Sequence, residues 1–119
     1  MKDNVVIDKS FAFAVKIVKL VKSVQDQKKE YLLTKQLIRS GTSIGANVRE
    51  GNNAESKADF IHKLSIAQKE CSETIYWLEL LKETEYISEA QFQSVQTNAV
   101  ELIKLLTSIL KSSKFNINH

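Results

Sequence analysis

Few residues in this chain could carry out chemistry, and their spacing excludes more than it selects. There are two His and one Cys. Asp59-Phe60-Ile61-His62 is the nearest approach to the Glu-x-x-His pair from which helical bundles build di-metal carboxylate centres. Such a centre needs two of these motifs and further inward carboxylates, yet the only other histidine is His119. One thiol and two imidazoles so placed cannot complete a zinc tetrahedron. No G-x-x-x-x-G-K-[ST] loop is present, and no glycine lies between a strand and a helix, so neither phosphate-cradling fingerprint applies. No cofactor or metal is expected.

Nucleophilic catalysis fares no better. Cys71 falls on an apolar helical seam with no histidine near it in sequence, which is the setting of an inert thiol. Some helical ribonucleases of toxin systems carry an Arg followed four to six residues later by His. Neither Arg39 nor Arg49 has one there. The expectation is a protein that is not an enzyme.

The cations are more suggestive. Lys28, Lys35 and Arg39 follow one another at spacings of seven and four, along one side of a helix. Lys9, Lys16 and Lys19 line the polar arc of the preceding helix. A basic stripe of this kind neutralises phosphates without reading sequence, and in a ring of subunits its field would add. Aromatic residues do not interleave these lysines, so base stacking is not expected on this face. The charge is uneven. Residues 1–53 hold ten Lys/Arg and five Asp/Glu, residues 54–119 seven and nine, and the whole chain carries +3. The alternative reading of the stripe is a solvated helix face.

Whatever these groups do, helices must position them. The chain has no proline and only three glycines, so little interrupts long helices. At 119 residues it reads as one domain, 1–119, large enough to bury a core without a staple. A single Cys suits a reducing compartment. No apolar run approaches the ~18 residues of a membrane span, and MKDNVVIDKS lacks a signal-peptide core. A cytoplasmic protein with no membrane association is expected.

The hydrophobic spacing predicts four helices, at about 8–25, 30–52, 56–83 and 88–112, with a loose tail over 113–119. Asp8 or Ser10 is the expected cap of the first. Ser56 with Asp59, and Ser88 with Gln91, read as capping boxes for the third and fourth. Arg39 to Gly51, RSGTSIGANVREG, concentrates all three glycines in one helix. Gly41 and Gly45 sit four apart at the edge of the Leu33/Leu37/Ile44/Val48 face, so a neighbouring backbone or a large ring should approach there. The alternative is a helix broken near Gly41. Gly51 with Asn52 and Asn53 reads as the stop.

Short loops between long helices imply an all-α, antiparallel up-down-up-down four-helix bundle. The apolar arcs of the first and fourth helices span roughly 220° at 100° per residue, where a stripe somewhat over 100° suffices for a monomer. Ile66, Trp77 and Leu80 form a second seam on the third helix, about 140° from its core seam Phe60/Leu64/Ala67/Cys71/Ile75/Leu78. Surplus apolar surface and an interfacial Trp predict a homo-oligomer with Ile66, Trp77 and Leu80 at or beside the contact.

Ser43-Ile44-Gly45-Ala46-Asn47-Val48-Arg49-Glu50-Gly51, with Ser56, Asp59-Phe60, Leu64, Ile66-Ala67, Ser72, Glu73 and Tyr76-Trp77-Leu78, resembles the bacterial four helix bundle protein family. Some members are encoded by intervening sequences in 23S ribosomal RNA genes. The resemblance covers nearly the whole chain. It implies a bundle that assembles as a ring, a pentamer, with no enzymatic activity established for the family. It also implies similarity to the accessory protein of diversity-generating retroelements, a basic pentameric barrel that binds nucleic acid and a partner reverse transcriptase. The acidic second half of this chain departs from so basic a barrel. Within the shared string, Ser43, Asn47 and Glu50 are expected to cap or bridge a neighbouring chain, while Gly41 and Gly45 admit a ring such as Tyr76 or Trp77. Two functions follow as expectations. One is a non-enzymatic homo-oligomer that binds RNA or DNA phosphates, and the other a protein-interaction scaffold without nucleic acid.

Overall fold

The computed structural model describes residues 2–118, with side chains for residues 5–115; Met1 and His119 lie outside the described residues. Four helices follow in order: α1 Lys2–Lys28, α2 Leu32–Asn52, α3 Lys57–Glu83 and α4 Glu89–Asn118. Each packs on its chain neighbours, α4 closes onto α1, and the backbones of diagonal pairs stay more than 8 Å apart (Cα–Cα). The result is an antiparallel four-helix bundle of about 51 × 21 × 20 Å. None of the described helices is long and apolar enough to cross a membrane.

The core forms where the apolar stripes converge. Phe13, Ile17, Val21 and Val24 meet Leu37, Ile44 and Val48, then Leu64, Ala67, Cys71, Leu78 and Leu81. The heptad seam Phe92, Val95, Ala99, Leu102, Leu106 and Ile109 is buried along its whole length. Phe60 and Ile75 are only partly buried, and their expected places are taken by Thr74 and Leu81. Buried Thr74 donates to Glu70 O (2.8 Å) and Ser40 Oγ (3.0 Å), which keeps this polar pair satisfied.

Helix ends depart from the expected ones for physical reasons. α1 begins at Lys2, well before Asp8, because Val6 and Ile7 extend its apolar stripe by another turn. Ser10 is therefore no cap. It is wholly buried inside α1, its Oγ donating to Ile7 O at 3.1 Å. At the other end α4 reaches Asn118, since Ser113 continues the buried face of Ile109 and Leu110 beyond the expected end at 112. α2 starts where the Glu30 carboxylate accepts three backbone N–H groups, from Leu32 (3.0 Å), Leu33 (2.9 Å) and Thr34 (2.9 Å). An anion at that position also suits the helix dipole.

Ser56 Oγ accepts from Asp59 N at 3.0 Å. The Ser88–Gln91 box is reciprocal, Gln91 N donating to Ser88 Oγ (3.1 Å) and Ser88 N to Gln91 Oε1 (2.8 Å). α1 and α3 both end at a non-glycine residue with positive φ, Lys29 at 56° and Glu85 at 66°. At the second, Glu85 N reaches Lys82 O and Tyr86 N reaches Leu81 O, the paired bonds of a Schellman cap.

α2 runs unbroken through all three glycines. A Cβ on Gly41 would lie 2.8 Å from Ile17 Cγ2, and one on Gly45 3.3 Å from the Ser10 carbonyl oxygen. The approaching group is thus α1, by backbone at Gly45 and by a branched aliphatic side chain at Gly41. It is neither Tyr76 nor Trp77. Gly51 does not stop the helix but lies within it, where a Cβ would come 2.7 Å from Leu64 Cδ1. Its role is to let α3 cross close to α2, and Asn53 forms the cap.

Candidate nucleic-acid interface

The six cations, expected as one row on each of the first two helices, do not hold those rows: Lys28, expected in line with Lys35 and Arg39, is the last residue of α1, before the turn into α2. Lys9 and Lys16 reach across the α1/α4 seam. Lys9 Nζ lies 3.1 Å from Glu101 Oε2. Lys16 Nζ donates to Ser94 O (2.9 Å) and Asn98 Oδ1 (2.7 Å). Arg39 faces α3 instead, its Nη1 3.2 Å from Glu70 Oε2 and its Nη2 2.5 Å from Glu73 Oε1. The Glu73 hydrogen bond is the main reason that the Arg39 pKa lies above its ordinary value. In return the Arg39 hydrogen bond holds the Glu73 carboxyl below its usual range, with help from Trp77 Nε1, which donates to it at 3.3 Å.

Lys19, Lys28 and Lys35 are exposed and, among the described residues, have no carboxylate within ion-pair distance. On α1 and the α1–α2 turn two further lysines share that condition and were missed, Lys22 and Lys29, and on α3 and α4 so do Lys57, Lys69, Lys104, Lys111 and Lys114. The signal of Lys22 and Lys29 lay in the sequence, as a lysine three residues past Lys19 and as the Lys28-Lys29 pair. Uncompensated positive charge therefore runs along the outside of α1 and gathers at the α1–α2 turn. Arg49 is occupied differently, its guanidinium 4.9 Å from the centre of the Phe11 ring.

The polar residues of the shared string turn onto their own protomer. Ser43 Oγ donates to Arg39 O (2.6 Å) and Asn47 Nδ2 to Ser43 O (2.9 Å). Glu50 pairs with Lys63 of α3 at 3.0 Å. Ser43, Gly45, Asn47, Glu50 and Gly51 are thus accounted for as helix packing and α2/α3 pairing within one copy.

Ile66, Trp77 and Leu80 are partly buried on α3. The indole packs against the core on one side, and Tyr76, 56% exposed, meets it edge-on at 5.0 Å. On α1, Phe11 is 53% and Val15 39% exposed. The extra apolar residues of α4 behave differently. Leu110 is buried and Ile103 and Leu105 pack on the core, so the wide arc of α4 is largely absorbed by its own bundle. Cys71 is buried, its Sγ 3.3 Å from Ala99 O, and burial pushes its pKa up to about 12. Among the described residues no cluster of His, Cys, Asp and Glu could hold a metal ion.

Comparison with known proteins completes this picture. No curated protein matches the chain. A crystal structure of a protein of unknown function from the S23 ribosomal protein family of Bacteroides thetaiotaomicron is 58% identical. It covers 93% of this chain and 99% of that one, and the two superimpose with a TM-score of 0.92. The family model described as 23S rRNA-intervening sequence protein matches residues 2–108, nearly the whole bundle. The chain belongs to the 23S rRNA-intervening sequence protein family.

Proposed function

We propose that this protein is a non-catalytic, homo-oligomeric bundle that binds the phosphate backbone of RNA or DNA weakly, as an accessory subunit. The observation that carries the assembly is the exposure of Phe11 and Val15 on α1 and of Tyr76 on α3. These are regular mid-helix positions on helices that lie diagonally across the bundle. Two different apolar faces on opposite flanks suit a heterologous contact, α1 of one copy against α3 of the next, and such contacts close into rings. Ile66, Trp77 and Leu80 then border the α3 side of the contact. Five copies is the number implied by the family resemblance.

Backbone binding rests on Lys19 and Lys22 on the outside of α1, which a ring repeats around its circumference. Filter binding of RNA and DNA at low and moderate salt tests it. Affinity should fall steeply with salt, and Lys19→Glu with Lys22→Glu should weaken it at every salt. Arg39→Glu should instead lower stability, because it sets three carboxylates together. No retention at low salt would remove nucleic acid from the account.

One observation favours the scaffold reading. Lys9, Lys16 and Arg39 are engaged inside the fold, so the basic surface is smaller than the sequence suggests. A protein partner such as a reverse transcriptase would then be recovered by pull-down while the filter assay stays blank.

A further inference from the structure

One end of the bundle carries two turns of opposite chemistry. The α1–α2 turn presents Tyr31, 55% exposed, and Leu32, 81% exposed, the most exposed large hydrophobic side chain among the described residues. Lys28, Lys29 and Lys35 surround them without a carboxylate partner. The one acidic residue within this turn, Glu30, turns both oxygens onto the N-terminus of α2 and cannot offset them outward. Beside this knob, the α3–α4 turn holds a hollow of about 690 Å³ whose wall carries the carboxylates of Glu83, Glu85 and Glu89, the side chain of Ile87, and two lysines, Lys28 and Lys82. Lys82 lies 3.9 Å from both Glu83 and Glu89, leaving Glu85 without a cation partner.

An apolar knob flanked by Lys29 and Lys35, next to a hollow with three carboxylates against two lysines, is self-complementary about a two-fold axis. We propose that this end of the bundle docks a second copy of the chain end to end, Tyr31 and Leu32 of each copy entering the other's hollow while Lys29 and Lys35 face Glu83 and Glu85. An isologous contact needs both halves on one patch, and both are here. A polyanion, whether nucleic acid or an anionic membrane, would meet the carboxylates of the α3–α4 turn as soon as it reached the lysines. A second copy meets the opposite charge on both turns. This contact is separate from the lateral one proposed above and stands without it.

The test is particle mass by light scattering on the full chain, with circular dichroism as a control of folding. Two charge-reversed variants are made, Lys29→Glu with Lys35→Glu, and Glu83→Lys with Glu85→Lys. Each alone places like charges across the contact and should show half the wild-type mass. Mixed in equal amounts they face opposite charges at both turns, and the wild-type mass should return. Leu32→Asp, at a position too exposed to matter for folding, should also halve the mass, and so should high salt in part. Equal mass for wild type and Leu32→Asp, or a mixture that stays at half mass, overturns the proposal. So does a wild type of unpaired mass whose Lys29 and Lys35 prove necessary for holding a short single-stranded oligonucleotide. The lateral reading is judged separately, since it predicts a factor other than two and responds to Phe11→Glu.

Discussion

A methyl group at Gly41 would meet Ile17 at 2.8 Å (Cγ2), 2.9 Å (Cγ1) and 3.3 Å (Cβ). Ile17 is wholly buried and branched at Cβ, so it cannot swing aside. Gly41→Ala should therefore destabilise by about 1–3 kcal/mol, although alanine is the better helix former by about 1 kcal/mol. Gly51→Ala should cost less, because the opposing atom is the tip of Leu64. Urea midpoints of the two variants rank them directly. Cys71 offers a second check at this scale. With its pKa pushed to about 12, the folded thiol stays protonated where an unfolded one, near 9, ionises. The unfolded state then binds fewer protons between about pH 9 and 12, so stability falls as pH rises through that window. Cys71→Ala should flatten that fall, and the native thiol should react with a maleimide at pH 8 only as fast as the protein opens. The tight approach at the glycines and the buried place of Cys71 were legible because each depends on spacing along one helix. The partners of Arg39, Lys9 and Lys16 were not, since they depend on which face of α3 or α4 comes alongside.

Each helix owes its limits to a few capping groups and to how far its stripe stays apolar. Glu30→Ala removes the acceptor of three N–H groups at the start of α2 and should cost about 1 kcal/mol. Thermal melts compared with Glu55→Ala, an exposed loop acid with no such bonds, isolate the effect. The four helices and the α4 heptad seam could be read from periodicity alone. The start of α1 could not, and that of α2 was placed within two residues but without its capping acid. Val6 and Ile7 have value only once α2 and α3 are in place to cover them, and a glutamate one residue ahead of the cap is an unusual way to open a helix. The Arg39–Glu73 pair tying α2 to α3 is half exposed on the arginine side, so solvent screening leaves it a modest contribution. Because Glu73 titrates low, that contribution is present at neutral pH and fades as acid carries the pH down through its depressed pKa. Arg39→Met should lower stability at neutral pH and lose this acid dependence, which melts at neutral and acid pH would register.

At the scale of the whole molecule the account rests on apolar surface left uncovered on two flanks. Sequence arcs overstated it for α4, whose extra leucines close the bundle, and located it correctly for α1, where Phe11 and Val15 face outward. On α3 the indole is shared between the core and the surface, with the exposed Tyr76 ring edge-on against it. Substituting Phe11, already exposed, leaves the core intact, so assembly can be broken without unfolding the protomer. Sedimentation equilibrium of wild type and Phe11→Glu, with helicity checked in parallel, is the most direct measurement. The account predicts a wild-type mass several times the 13.5 kDa of one chain and a lower mass for the folded variant. A wild type that sediments at 13.5 kDa across the accessible concentration range would contradict it.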